Sequence, residues 1–335
     1  SSPMPNHLNE RALAIVAAAL ADAERLHIAP ATSPSGTRVV DCGVSARGSV
    51  DAGLVLARVA LADLGRAWIE PADGAARPGR VRAERDPWDG RCPWPTVAVE
   101  SESPVAACLA SQYAGWKVAA GKFFAMASGP MRAAIGREAL YDDVGHRERP
   151  TAAVGLLESS KLPPDEICVR LAGECGVAPD RLTLLVARTA SLAGSLQVVA
   201  RSLETALHKL HDLHFDLGRI RAGHGRAPSP PVPDDDMEAI GRTNDAILYG
   251  GVVVLEVTGD DASLADVAGR MVSGASASHG RPFRELFAAA GHDFYALDPA
   301  LFAPAVVELV NLDTGRRHRA GALAPDVLRA SFDGI

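Results

Sequence analysis

The sequence predicts an α+β fold with mixed sheets, divided between two domains. Three observations carry this expectation. Helical and strand-like segments follow one another without the regular alternation of a doubly wound parallel sheet. No G-x-G-x-x-G follows a strand, and no Walker-type loop is present. The chain has 335 residues, long for a single hydrophobic core, so two domains are expected, 1–150 and 151–335, with the chain free to cross between them.

The elements follow in order. Asn9 to His27 reads as a first helix and Arg38 to Val44 as a short apolar strand. Gly48 to Leu64 is the helix or strand pair after it. Pro71 to Gly79 and Asp86 to Pro95 are rich in turn residues and read as loops. Thr96 to Glu100 alternates as a strand, while Val105 to Phe124, small and apolar with Gly115 and Gly121, is ambiguous. Pro150 to Glu158 and Ile167 to Leu171 read as strands separated by the Pro163-Pro164 turn, and Thr183 to Val186 as another. Arg188 to Leu210 reads as one long helix, because Leu196, Val199, Ala200, Leu203, Leu207 and Leu210 fall on one face. Ala222 to Asp236, with its prolines and aspartates, is expected to be a surface loop or a crossover between domains. Gly251 to Leu255 is a continuous apolar run typical of a buried strand. Asp266 to Ser273 and Pro282 to Ala290 read as helices, and Ala305 to Asn311 as a last strand.

Composition excludes several classes. Hydrophobic residues make up 47% and charged residues 22%, the balance of a globular protein in water. A net charge of −7 gives no basic footprint for nucleic acid. The most apolar N-terminal run, Ala12 to Ala21, is too short for a membrane span and lacks the basic flank of a signal peptide, so a cytoplasmic protein is expected. Ser1 to Pro5 reads as a loose start. The five cysteines, Cys42, Cys92, Cys108, Cys168 and Cys175, show no C-x-x-C pair and read as buried thiols in a reducing compartment. His208, His211 and His214 recur at intervals of three, which swings the third ring off the helix face, so no metal site is expected. Thirty arginines stand against four lysines, which suggests a GC-rich bacterial source.

On a second face of the long helix, Gln197, Arg201, Glu204 and His208 recur at helical spacing. A carboxylate one turn from a guanidinium, flanked by an amide and an imidazole, is able to orient a water molecule; an ordinary solvated face has the same spacing. The string Ser191, Ala193, Gly194, Gln197, Ala200, Arg201, Glu204, Thr205, Ala206, His208, Lys209 resembles the methenyltetrahydromethanopterin cyclohydrolase family. So do LASQYAGW at Leu109 to Trp116, SGPMRA at Ser128 to Ala133, GRTNDAILYGG at Gly241 to Gly251 and DFYALDPALFAPAV at Asp293 to Val306, in the same order. The likeness spans about the whole chain, with one departure: Ala127 stands where the family often has Gly before its Ser-Gly-Pro.

The resemblance implies two α/β domains with an active-site cleft between them, a homo-oligomer, often a trimer, and a role in one-carbon metabolism consistent with a methylotrophic source. It implies a tetrahydromethanopterin derivative as substrate and no permanently bound cofactor. The reaction would be reversible hydrolysis of a cationic methenyl bridge to the N5-formyl compound. That bridge is an amidinium, already electrophilic, which needs a positioned water and a proton acceptor rather than a Lewis acid. The family's catalytic Arg and Glu map onto Arg201 and Glu204. Gln197 is expected to contact substrate beside them. Arg242-Thr243-Asn244-Asp245 is expected on a loop, where Thr243, Asn244 and Asp245 read the amino-pyrimidinone edge or form an Asx turn. Ser128, Gly129 and Pro130 form an amide-rich turn which, with Arg132 nearby, holds polar or anionic groups or is a plain turn. Ser111, Gln112 and Tyr113 reach the site or pack. The alternatives are a cyclohydrolase acting on a folate-type carrier and a non-catalytic pterin-binding oligomeric protein.

Overall fold

A computed structural model describes residues 7–74 and 79–333; Ser1 to Pro5 and part of the Pro71 to Gly79 segment lie outside the described residues. The chain opens with α1 (Leu8–Ala21), α2 (Ala23–Leu26), β1 (Ala29–Thr32), β2 (Arg38–Gly43) and α3 (Val50–Ala60). The strands β3 (Gly65–Glu70) and β4 (Thr96–Ser101) follow, then a π-helical segment, Val105–Gln112. Next come β5 (Trp116–Ala120), β6 (Phe123–Ser128), α4 (Met131–Ile135), α5 (Leu140–Val144), β7 (Ala153–Glu158), α6 (Asp165–Cys175) and β8 (Leu182–Ala187). The rest is α7 (Leu192–Val199), α8 (Ser202–Asp212), β9 (Ile220–Pro228), α9 (Asp236–Gly250), β10 (Val252–Val257), α10 (Asp261–Arg270), α11 (Phe283–Ala289), β11 (Val306–Asn311), β12 (Arg317–Gly321) and α12 (Pro325–Asp333).

Two compact units result, each built from two stretches of chain. The first comprises residues 1–65 and 105–197, the second 66–104 and 198–335. The chain crosses between the units, and position 150, where the boundary was expected, is not a crossing point. It falls inside the first unit, because β7 and β8, which come after it, pair into the same sheet as β2 and β6. That sheet runs β1-β2-β8-β7-β6-β5, with β2, β8 and β7 parallel and the outer strands antiparallel. Its faces are covered by two apolar clusters. Val16, Leu56 and Leu185 belong to one, and Ile167, Leu171 and Leu184 to the other. The second unit's sheet runs β12-β11-β10-β9-β4-β3, with β10 and β11 parallel and the β12-β11, β10-β9 and β9-β4 pairs antiparallel. Both sheets are mixed, as the irregular succession of elements predicts.

Several elements differ from expectation. Ile167 to Leu171 is helical, inside α6, because its buried residues Ile167, Cys168, Leu171, Ala172 and Cys175 follow a helical repeat that a five-residue window hides. Ala222 to Pro228 is not a loop but most of β9, a central strand between β10 and β4. Pro228 is its last residue, where a missing amide costs least. The long helix is two helices, α7 and α8, interrupted at Ala200 and Arg201. Among the described residues no helix is long and apolar enough to cross a membrane. All five cysteines are buried thiols outside any disulfide.

Candidate active site

The break before α8 is fixed by the strand beneath it. Gly223 and Gly225 of β9 face α8, and their missing side chains make room for its first turn. A Cβ on Gly225 would lie 2.5 Å from Ser202 Oγ and 2.7 Å from the Leu203 amide nitrogen; one on Gly223 would lie 2.7 Å from Leu203 Cδ1. The side chains of Leu203, Ala206, Leu207 and Leu210 are wholly buried, and α8 packs on β9, β10 and β4. Apolar periodicity runs unbroken through the turn, which is why the sequence reads as one helix.

Arg201 occupies the cap position of α8 with φ −91° and ψ 9°, the sparsely populated bridge region in which many active-site residues sit. Its carbonyl accepts from the Thr205 amide at 2.8 Å and from Thr205 Oγ1 at 2.9 Å. Glu204 is three residues on, in the first turn, where the helix dipole favours negative charge. Arg201 is 7% exposed and Glu204 5%. Farther along, Lys209 is buried and donates from Nζ to the Pro299 carbonyl at 2.6 Å, tying α8 to the turn that begins at Pro299. Burial pulls the Lys209 ammonium below its ordinary pKa, while the charges of Asp212 and Asp298 oppose that shift.

The other expected site residues divide between the units. In the first, Gln197 is buried near the end of α7, and Gln112 is buried as the last residue of the π-helical segment. Ser128 ends β6, and Gly129 follows with φ +93°, where a Cβ would meet Leu156 at 2.8 Å. The Gly129 amide donates to the Ser111 carbonyl at 2.9 Å, bringing the Gln112 segment beside Ser128–Gly129–Pro130. The Pro130 carbonyl accepts from Asn9 Nδ2 at 3.0 Å. Ser111 donates to the Ala60 carbonyl at 2.6 Å and serves packing. Arg132 is buried, bonded to the Glu138 carboxylate and to the Tyr113 carbonyl, and its guanidinium lies 4.5 Å from the Tyr113 ring centre.

In the second unit, Thr243, Asn244 and Asp245 lie inside α9 rather than on a loop. Three small polar residues in a row read as a turn, yet their side chains bond within or beside the helix. Thr243 Oγ1 donates to the Ala239 carbonyl at 2.8 Å and Asn244 Nδ2 to the Ile240 carbonyl at 2.9 Å. Asp245 is wholly buried and accepts from the Phe283 amide at 2.8 Å. Asn244 alone of the three is half-buried.

One charged constellation has no counterpart in the sequence reading. On the sheet face opposite α8, His224 lies beside Trp68 and Arg226 bridges Glu70 at 3.4 Å and Asp86 at 3.1 Å. Glu100 and Glu308 accept the Val81 and Glu84 amides at 3.0 Å each, so buried carboxylates pin the segment after Gly79 to the sheet. Burial pushes the His224 imidazole down to about 4 against the pull of Glu100. The signal was present in AGHGRA, where glycines toward α8 alternate with charged residues on the other side. In the same unit, His318 pairs with Asp261 at 2.7 Å.

A buried Arg and Glu thus stand at the start of a helix on a mixed-sheet α/β unit. Residues 7–332 match the model of the cyclohydrolase (MCH) family, and the chain belongs to that family. A methenyltetrahydromethanopterin cyclohydrolase of Xanthobacter autotrophicus is 44% identical over 321 residues, covering 96% of this chain and 90% of the relative. The protein of the same name from Methylobacterium sp. (strain 4-46) is 43% identical, covering 97% of each chain. That of Methanococcoides burtonii is 36% identical, covering 97% of this chain and 98% of its own.

Proposed function

We propose that this chain hydrolyses the methenyl bridge of 5,10-methenyltetrahydromethanopterin, or of its dephospho form, to the N5-formyl compound, reversibly. Arg201 and Glu204 are the catalytic pair of this reading. Water adds to the amidinium carbon, Glu204 aligns that water and takes its proton, and Arg201 holds the carboxylate in place. The amidinium loses its charge as the C–O bond forms, so a carboxylate also attracts the substrate to the site. Gln197, Gln112, Ser128, Gly129, Pro130 and Asn244 are the proposed substrate contacts. Thr243, whose hydroxyl donates to the Ala239 carbonyl, and Asp245, which accepts from the Phe283 amide, support the shape of α9 in this reading.

The observation that carries the proposal is the burial of both charges at the start of α8. A buried guanidinium and carboxylate are costly to desolvate, and a fold keeps them where they are paired or used. The family membership and the names of the relatives give the reaction class. No bound cofactor enters the scheme. A homo-oligomer, a trimer by resemblance, belongs to the same proposal and is checked by sedimentation. The five buried thiols support a reducing, cytoplasmic location.

Methenyl carriers absorb in the near ultraviolet and lose that band on hydrolysis. The purified chain should bleach methenyltetrahydromethanopterin faster than the folate-type carrier. Glu204→Gln should keep the fold and lose about a hundred- to ten-thousand-fold in turnover. Hydrolysis by Glu204→Gln at the parent rate would reject the assignment.

A further inference from the structure

Hydrating an amidinium releases a proton that has to leave a buried carboxylate. Water's oxygen ends in the formyl group, one of its hydrogens goes to the nitrogen released when the C–N bond breaks, and the other leaves as H⁺. Glu204, 5% exposed, receives that last proton in the reading above and must be emptied before the next turnover.

The same helix face carries an outlet. Glu204, His208 and Asp212 follow at four-residue intervals along α8, so each lies about 5–6 Å from the next at Cβ. Exposure rises along the row, since the side chains of His208 and Asp212 are 33% and 43% exposed. His208 Nε2 lies 3.4 Å from Asp212 Oδ1. We propose that His208 is a positioning residue acting through Glu204: it takes over the proton that Glu204 collects and passes it, with Asp212, to solvent. The inference rests on the proposed cyclohydrolase reaction.

The electrostatics around the ring agree. Burial disfavours the imidazolium, yet the Asp212 hydrogen bond and the charges of Glu204 and Asp212 outweigh it and raise the His208 pKa, with Lys209 opposing. Lys209 is held by Pro299, with Asp298 beyond it. The strands under α8 turn their charges away: His224 and Arg226 of β9, Glu100 of β4 and Glu256 of β10 share the opposite sheet face. Arg221, at the start of β9, bonds to the Gly218 carbonyl. An imidazole that stands between a buried carboxylate and an exposed one, both of which favour its charged form, is suited to hand a proton outward.

The test uses the full chain. His208→Gln should lower kcat on the order of a hundredfold in dilute buffer with KM unchanged. Added imidazole should restore turnover, because a small base replaces the missing relay; a purely structural defect has no such dependence. In parallel, the His208 ring is titrated by NMR in the parent and in Glu204→Gln, where loss of the neighbouring charge should lower its pKa. Parent-like kcat in His208→Gln, a loss insensitive to buffer, or an unchanged titration in Glu204→Gln would overturn the inference. If the parent hydrolyses no methenyl carrier, the proposed function falls, and the titration alone then decides whether Glu204 and His208 are coupled.

Discussion

At the scale of single residues, two buried aspartates show how partners decide a charge. Asp41 is buried, which opposes ionisation, but the amides of Gly43, Val44, Ser45 and Ala46 all donate to it and pull its pKa below the ordinary carboxylate value. Asp245 has fewer donors. Burial pushes its carboxyl up to about 7, against the Ser331 hydroxyl and the Phe283 amide. The consequence for stability has a definite sign. The folded chain binds this proton more tightly than the unfolded chain, whose carboxyl titrates near 3.8. The stabilisation is therefore complete below that value and is lost as pH rises through about 7. Asp245→Asn keeps an acceptor for the Phe283 amide and cannot ionise. Its Tm minus that of the parent should grow more positive between pH 4 and pH 8. A difference that stays level across that range would mean that Asp245 does not titrate there.

At the scale of elements, the decisive contact is α8 on the glycines of β9. A Cβ at Gly225 has no free direction, since a side-chain oxygen and a backbone nitrogen of α8 both stand in its way. Gly225→Ala should cost about 1–3 kcal/mol, the usual result of overpacking, and lift the first turn of α8 off the sheet. Because Arg201 and Glu204 lie in that turn, turnover should fall by more than the small loss of folded protein explains. Thermal melting and the ultraviolet assay on one preparation separate the two effects, and a variant with parent kcat would show that α8 tolerates the shift. This contact also marks how far the sequence could be read. The apolar runs of β2, β8, β10 and β11 were legible, because a buried strand needs an unbroken apolar stretch. The Arg and Glu of the proposed catalytic pair stood out through the family's motif. The break between α7 and α8 was not legible, because it is imposed by a strand that lies more than a dozen residues farther on. β9 read as a loop because of the prolines and aspartates that follow it, while its glycines, which weaken a strand in isolation, are here the condition for a helix to sit on it. Thr243 to Asp245 misled in the opposite way, since side chains that favour turns can also bond back to a helix.

At the scale of the whole molecule, each unit is closed by chain from both sides of the other's insertion. The segment 66–104 supplies β4 and most of β3 to the second unit, and 105–197 returns to complete the first. Contacts distant in sequence therefore hold both sheets. The parallel pair β2 and β8 joins Arg38 to Thr183 and Val40 to Leu185. A cut near 150 illustrates the consequence. The fragment 1–150 would retain β1, β2, β5 and β6 but lose β7 and β8, the two strands that stand between β2 and β6. Its remaining strands would expose Val39, Val40, Phe123 and Ala125, residues of two buried clusters, with no strand to join the two hairpins into one sheet. Expressed alone, the fragment should show no cooperative melt by circular dichroism and should bind a dye specific for exposed apolar surface. A sharp two-state transition in 1–150 would mean that β2 and β6 find another pairing, and that the first unit does not depend on the strands that follow residue 150.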